Sequence, residues 1–228
     1  MMAQSIIRGR ILSFAICLLA ATAIAILISA GTTVQKYVRQ NERYNRIVLV
    51  RELVQEHHLA HPKRHLPDPE SGNSWRWDLL QDLLLSNPSL FQRYSSLAAI
   101  NLPLDRSSPR PTCFGSGHLS VFRVLPNPSE MEGNPKEFNE SQSDHIDSAI
   151  LIEADFGTFD WTSPIDLHYS GDQVWLGDDA NIRRDIEVLH EFYLLRGSGE
   201  ILWIRGPVSA SQFVAIVRGE TNMEGLYR

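Results

Sequence analysis

Four histidines near residue 60 have the side chains and the spacing that could bind a metal ion: His57, His58, His61 and His65. Because His57 and His61 are one helical turn apart, a helix would present them on the same face. A zinc site needs a third ligand of fixed geometry, and His65 follows Pro62 in an expected loop. The sequence therefore predicts a solvated helix end without structural zinc, and we expect no metal and no cofactor.

Two further groups contain residue types that occur in catalytic or calcium sites. The segment FGSGH at residues 114–118 lacks both the Gly-x-Ser-x-Gly elbow of a serine nucleophile and a phosphate-binding glycine pattern. An acidic group lacks the Asp-x-Asp-x-Asn-Gly spacing of a calcium loop; its members are Asp172, Asp178, Asp179 and Asp185. We interpret the first group as a turn and the second as solvated loop charges. No catalytic residues are identified, so the sequence predicts a protein that is not an enzyme.

The elements that carry these residues begin with a long uncharged segment at residues 11–31. Leu, Ile, Ala and Phe fill most of it, and the next charged residue is Lys36. A helix of about 20 apolar residues matches the ~30 Å thickness of the hydrocarbon core of a bilayer. The sequence therefore predicts a helix that inserts into a membrane.

A cleavable secretory signal is the alternative interpretation of this segment. Two arginines precede it, and Ala30 offers a small residue at a cut before Gly31. Against cleavage, residues 32–61 contain neither Pro nor Gly, and their apolar residues recur at steps of three and four. We expect the span to continue into an amphipathic helix that ends near Pro62.

The resulting prediction is a single-pass protein of the cell membrane. Basic residues are nearly balanced on the two sides of the span, so the positive-inside rule is a weak guide to orientation. We place the short N-terminus in the cytoplasm and the body outside it. The predicted segments are a cytoplasmic tail (1–10), a transmembrane helix (11–31), an amphipathic helix (32–61) and an extracytoplasmic α+β domain (62–228).

Composition limits the partners of this body. The chain has 228 residues, 43% hydrophobic and 21% charged residues and a formal net charge of −6, which is typical of globular proteins. An acidic body does not suggest a nucleic-acid binder. Cys17 lies in the span and Cys113 is alone in the body, so no disulfide can form within the body.

The sequence of the body predicts helices followed by strands. Ser74 is a plausible N-cap for one or two helices whose apolar stripe continues to Leu90, Phe91 and Tyr94. Strands are expected at 119–125 and 148–156, with a long exposed loop at 127–144 between them. The remaining expected elements are a hairpin around Gly197-Ser198-Gly199 and a final helix capped by Ser209 or Ser211 and stopped by Gly219. This order predicts an α+β fold with a mostly antiparallel sheet and long loops.

Several segments in this order resemble one family. The most specific is WTSPIDL at residues 161–167; others are SWRWDLLQDLL, FYLLRGSGEILWI and FVAIVRGETN. Together they are similar to the planctomycete-type pilin-like membrane proteins of unknown function, which are often labelled type II secretion pseudopilin G-like. The resemblance implies a pilin-like fold and marks Trp161, Thr162, Pro164, Asp166 and Leu167 as motif residues.

The role of this motif has two interpretations. In the structural one, the ring of Trp161 is buried behind a strand, Pro164 fixes a turn and Asp166 caps local backbone amides. In the functional one, the same residues form a patch that faces a partner. The family's C-terminal His-x9-Asp-Gly motif is degraded here to His190 and Ser198-Gly199.

The N-terminus also departs from the family's pattern. In pilin precursors, cleavage after a Gly precedes Phe-Thr-Leu-x-Glu, and that Glu pairs with the amino terminus of the neighbouring subunit. Gly9 would be the cleavage site here, yet Arg10 follows it and Phe14 replaces the Glu. The sequence therefore predicts a divergent member in which the usual pilin assembly device is incomplete.

These observations predict a non-enzymatic, pilin-like membrane protein that acts in assembly or in cell-surface interaction. Its expected partners are the membrane and proteins of a cell-envelope complex. The alternative is an extracytoplasmic module that captures a small solute or glycan through the loops around Trp161 and Trp175. A concave pocket lined by Trp would favour binding, whereas an exposed apolar helix would favour assembly.

Overall fold

The computed structural model describes residues 2–62, 66, 74–86, 89, 92, 111–116, 118–126, 149–157, 159–161, 165–177 and 183–219. Side chains are described from residue 18 onward, apart from those of 84–86 and 116. The chain forms two compact units, Met1–Arg43 and Tyr44–Arg228.

Helix α1 (Met2–Ala60) is one uninterrupted helix of 59 residues. It contains no proline, so every residue can donate its backbone N–H, and Gly31 does not break it. From Leu18 onward it is the one described helix long and apolar enough to cross a membrane, and none of its most apolar stretch is buried. A signal sequence near the N-terminus would have the same length and composition.

The environment of α1 changes along its length. In the first unit its large apolar side chains are exposed, including Leu27 (71%) and Tyr37 (74%). In the second unit Ile47, Val50 and Leu53 are fully buried. The apolar stripe expected from residue 32 is therefore buried only from Ile47 onward.

Helix α2 (Trp75–Ser86) begins at the predicted N-cap. The hydroxyl oxygen of Ser74 accepts a hydrogen bond from the backbone N–H of Arg76 at 3.3 Å, which satisfies one of the free donors of the first turn. Trp75, Leu79 and Leu83 follow at helical spacing and are buried. Leu90, Phe91 and Tyr94, predicted to continue this stripe, lie outside the described residues.

The described strands follow a short 3-10 turn at Thr112–Phe114. They are β1 (Gly115–Ser116), β2 (Leu119–Pro126), β3 (Ala149–Asp155), β4 (Leu167–Ser170), β5 (Gln173–Leu176), β6 (Arg184–Asp185), β7 (Val188–Leu189), β8 (Phe192–Arg196), β9 (Ile201–Ile204) and β10 (Val208–Ser209). The long loop predicted at 127–144 lies outside the described residues.

Eight of the described strands form one sheet in the order β6-β5-β4-β2-β3-β8-β9, with β1 pairing with β2. The pairs are antiparallel, apart from β2 with β4, in which Val124 lies opposite Leu167. Strands β7 and β10 form a separate antiparallel pair. The prediction of an α+β fold with a mostly antiparallel sheet is confirmed.

The central strands bury both faces of the sheet. Successive side chains on a strand point to opposite faces, so the register forms two kinds of cross-strand row. In one row Phe122, Ile152, Leu194 and Leu202 lie opposite one another. In the adjacent row, Val121, Glu153, Tyr193 and Trp203 do so.

Each face has its own hydrophobic core. The first core joins the C-terminal part of α1 and helix α2 to β2, β3 and β8; its buried members include Ile47, Leu53, Leu80, Val121, Leu151 and Leu195. The second core lies on the other face under helix α3 (Ala210–Val217) and includes Phe122, Ile152, Leu194, Ile204, Phe213 and Ile216. Strand sequences that stay apolar at successive positions, without alternation between apolar and polar residues, are typical of a sheet covered on both faces.

Helix α3 begins and ends where the sequence predicts. Ser209 is the N-cap and forms a capping box with Gln212, which satisfies donors at the helix start. Gly219 follows the last turn at φ +72°, a conformation that glycine adopts without strain. The strands at 119–125 and 148–156 and the C-terminal hairpin are likewise confirmed.

The side chains of hairpin strands β8 and β9 pack into the hydrophobic cores on both faces of the sheet. Phe192 and Leu194 are fully buried, and Leu202 faces the same core. Trp203 lies on the other face and is only partly buried. Its ring stacks on Tyr193 with centroids 5.9 Å apart, and the guanidinium carbon of Arg205 lies 3.7 Å from the ring centroid.

We therefore expect Leu202→Ala to destabilise the protein more than Trp203→Ala, although tryptophan is the larger residue. Leu202→Ala should cost about 2–5 kcal/mol because it leaves a cavity in the second core. Trp203→Ala should cost less, about 1–2 kcal/mol, since Trp203 is only partly buried and its removal leaves a smaller enclosed cavity. Thermal unfolding of the detergent-solubilised full chain measures both; an equal or larger loss for Trp203→Ala would contradict the assignment of faces.

Candidate functional site

The motif residue Trp161 lies in the first hydrophobic core. Its ring is 5% exposed and stacks on Phe114 with centroids 6.4 Å apart and planes 17° apart. Trp77 of α2 contacts it at a centroid distance of 5.7 Å. These contacts support the structural interpretation of Trp161, because a partner could reach little of the ring.

Asp166 is fully buried and forms an ion pair with Arg123 of β2. The Nε of Arg123 donates to Oδ2 of Asp166 at 3.1 Å, and Nη2 donates to the same oxygen. The expected capping of local backbone amides by Asp166 stays a prediction, because the preceding residues 162–164 lie outside the described residues. Oδ1 has no hydrogen-bond partner among the described residues.

The burial of this pair explains why the segment needs Asp at that position. Two charges taken out of water are tolerated only when they compensate each other in good geometry. Asp166 stands directly before Leu167, which opens β4 and is fully buried in the second core. The ion pair therefore holds the start of β4 beside β2, where the sheet makes its parallel pairing.

The remaining motif residues are dispersed. Thr162 and Pro164 lie outside the described residues. Gly9 lies within α1, where the backbone is helical. Gly199 occupies the turn between β8 and β9 at φ +84°, and a Cβ there would lie 3.2 Å from Nε2 of Gln55. His190 is exposed and is not brought near the other motif residues that the structure describes.

A cleft of about 520 Å³ contains His190. It lies between the end of β3 and the segment from β6 to β8, and its lining includes Asp155, Arg184, Asp185 and Glu187. Arg184 donates to the carbonyl oxygen of Phe156 at 2.8 Å, so its guanidinium is part of the wall. The lining also includes the apolar residues Phe156, Ile186, Val188 and Leu189, so the cleft is more evenly mixed in polarity than the mostly apolar clefts that usually bind small molecules.

Trp175, the other residue of the predicted binding loops, is also covered. It is 7% exposed; the ring of His168 stacks on it at 5.7 Å, and the guanidinium carbon of Arg183 lies 4.4 Å from its centroid. Arg183 in turn donates to Asp185 at 2.8 Å, whereas Asp172 is exposed in the β4–β5 turn. Asp178 and Asp179 of the acidic group lie outside the described residues.

Cys113 is fully buried beside Phe114 in the 3-10 turn. Burial raises the pKa of its thiol to about 12, against a smaller lowering by hydrogen bonds and by the nearby Arg46. The thiol therefore stays protonated and serves as a packed side chain.

The histidines near residue 60 have a partner that the sequence did not reveal. His57 Nδ1 lies 3.0 Å and His61 Nε2 lies 3.3 Å from Oδ2 of Asp82 on α2. Burial lowers the pKa of His57, and His61 adds to this, while Asp82 and the backbone of Leu66 oppose it. His65 lies outside the described residues.

This contact could not be read from spacing alone. Asp82 is one of several polar residues on α2, and only the packing of Leu79 and Leu83 against α1 directs it toward the histidines. Comparison of the chain with protein-family models, curated proteins and solved structures finds no match.

We expect Asp166→Ala to destabilise the protein by about 3–5 kcal/mol, because it leaves the buried guanidinium of Arg123 without its neutralising carboxylate. Asp185→Ala is the matched control, since it removes the carboxylate of an exposed Arg–Asp pair and should cost under about 1 kcal/mol. Thermal unfolding of the detergent-solubilised chain distinguishes them. Equal losses would show that Asp166 is not held in a desolvated pair.

Proposed function

We propose that this chain is a non-enzymatic, pilin-like membrane protein whose α+β body lies outside the cytoplasm and acts in assembly or cell-surface interaction. In this proposal the apolar part of α1 is a retained anchor, and the N-terminus lies in the cytoplasm.

The observation that carries the proposal is the change of environment along α1. Its apolar side chains are exposed from Leu18 to Val38, and its face is buried in the body from Ile47 onward. Exposing so many large apolar side chains to water is unfavourable, whereas a bilayer accommodates them. The resemblance to pilin-like proteins implies this arrangement. One uninterrupted helix is apolar and exposed in its N-terminal part and buried in the core of the body in its C-terminal part.

Features of the body favour this proposal over solute or glycan capture. That alternative placed the ligand at the loops around Trp161 and Trp175, and both rings are nearly covered by their neighbours. The described cleft lies elsewhere and is lined by charged residues without tryptophan. The loops around Trp161 and Trp175 therefore offer no exposed stacking platform for a sugar.

Several buried charged groups of the body also have structural partners. Glu153 binds Arg46, and Asp166 binds Arg123. Arg76 donates to the backbone carbonyl of Val121. Because these buried charged side chains are paired with other groups of the body, they support a role in folding rather than in catalysis.

We expect the full-length chain to stay in the membrane fraction after an alkaline wash, with residues before Gly31 still attached. Ile26→Lys should weaken retention, because a lysine inside a span is unfavourable, by about 2.5–3.5 kcal/mol at the centre on insertion scales and by less toward the ends. Tyr37→Lys is the matched control: Tyr37 is also exposed on α1 but lies beyond the predicted span. Fractionation and mass spectrometry of the N-terminal peptide report both properties.

A soluble product that begins at Gly31 would contradict the anchor and support the signal-sequence alternative. Equal loss of retention in Ile26→Lys and Tyr37→Lys would contradict the predicted bounds of the span.

We expect the chain to remain a monomer or a small complex rather than to form filaments. Phe14 cannot accept the amino terminus of a neighbouring subunit as a carboxylate would, and Arg10 adds a charge beside the proposed cut. Size-exclusion chromatography with light scattering in detergent, together with N-terminal sequencing, measures this. Surface filaments built from a chain that starts at Arg10 would contradict it.

A further inference from the structure

Two histidines of α1 and one aspartate of α2 converge at the end of the helix pair. Each of His57, His61 and Asp82 offers one ligand atom, and the three atoms lie within 4.8 Å of one another. Nitrogen and carboxylate oxygen are ligands that divalent transition metals prefer. The His-x3-His spacing on a helix places both imidazoles on one face, and the second helix adds the oxygen.

Two of the three spacings between the ligand atoms are close to those of a tetrahedral site. Zinc lies about 2.0–2.1 Å from each nitrogen or oxygen ligand, so neighbouring ligand atoms should be about 3.4 Å apart. Oδ2 of Asp82 lies 3.0 Å from Nδ1 of His57 and 3.3 Å from Nε2 of His61. Side-chain rotation of the more exposed His61 and Asp82 would bring all three atoms to one ion.

His57 is the buried member of this group, with its side chain 4% exposed. Neither ring nitrogen makes a well-directed hydrogen bond among the described residues, although Asp82 Oδ2 lies close to Nδ1 and the backbone of Leu66 is near the ring. A buried polar group without a well-formed partner is costly, and coordination of an ion would satisfy it.

His61 and Asp82 are 49% and 42% exposed at their side chains. An ion held by the three residues would therefore have a position open to solvent, unlike the closed cage of a structural zinc site. The sequence predicted no metal here because it showed no third ligand, and the fold brings the carboxylate of Asp82 into that position.

We propose that His57, His61 and Asp82 form an open, three-ligand site for a divalent transition-metal ion such as Zn²⁺, which joins the end of α1 to α2. The site is independent of membrane assembly, so it stands or falls separately from the proposed function.

The test uses the full-length chain in detergent, without a polyhistidine tag and treated with a chelator beforehand. Equilibrium dialysis against Zn²⁺ with elemental analysis should find one ion per chain. At 100 times the dissociation constant, zinc should raise the midpoint of thermal unfolding by about 5–10 °C. Binding of Co²⁺ should give the visible bands of a low-coordinate nitrogen and oxygen site.

The decisive variants replace the exposed ligands, so that the fold is preserved. His61→Ala and Asp82→Ala should each weaken Zn²⁺ binding by at least about tenfold. Removal of a residue that only supports a metal ligand can already lower the affinity by that factor. His58→Ala is the matched control, because His58 is the neighbour of His57 on the same helix but not a member of the group. It should bind Zn²⁺ like the unaltered chain.

Failure to bind stoichiometric Zn²⁺ would overturn the proposal. So would equal weakening by all three variants, which would indicate general binding by histidines at the helix end. Unchanged binding in His61→Ala and Asp82→Ala would show that the ion is held elsewhere.

Discussion

A carboxylate in the central strand β3 determines how the helices meet the sheet. Glu153 is fully buried, and Nη1 of Arg46 on α1 donates to it at 2.7 Å. Nε of Arg46 donates to the carbonyl of Thr112 at 2.8 Å, which ties the 3-10 turn to the same side chain. A buried carboxylate is strongly unfavourable without such compensation, so α1 must place Arg46 over the middle of the sheet.

This ionic contact sets the register of the apolar contacts around it. Ile47 follows Arg46 directly, and Val50 and Leu53 continue the buried face at helical spacing. Arg76 of α2 makes a second charged contact on the sheet, to the carbonyl of Val121 at 2.8 Å. Hydrophobic burial supplies most of the driving force for folding, but it is non-directional, whereas these hydrogen bonds allow few alternative positions.

The local elements were predictable because their signals are local. The capping box of Ser209 and Gln212, the cap at Ser74 and the Gly-Ser-Gly turn each depend on residues within one turn of the chain. The exposure of Val34, Tyr37 and Val38 could not be predicted in this way. A periodic pattern of apolar residues predicts a helix with an apolar face, but it does not show what packs against that face.

Long-range pairs were equally hidden. The parallel pairing of β2 with β4, and the faces of Leu202 and Trp203, depend on strand order rather than on alternation within one strand. The approach of Asp82 to His57 depends on how α2 packs, and the ion pair of Arg123 with Asp166 joins residues distant in sequence. Sequence patterns identify the members of such pairs as polar residues without identifying their partners.

The residues that carry the resemblance to pilin-like proteins therefore support conclusions about the fold more than about function. Trp161 and Leu167 are core residues, and Asp166 compensates a buried arginine. Any chain that builds this sheet in this way would need side chains of those kinds, whatever it does. Under the proposed function, assembly would depend instead on the N-terminus, where Arg10 and Phe14 depart from the pattern of the pilin-like proteins that the chain resembles. The residues that build the fold and the residues that would direct such an assembly are therefore separate in this chain.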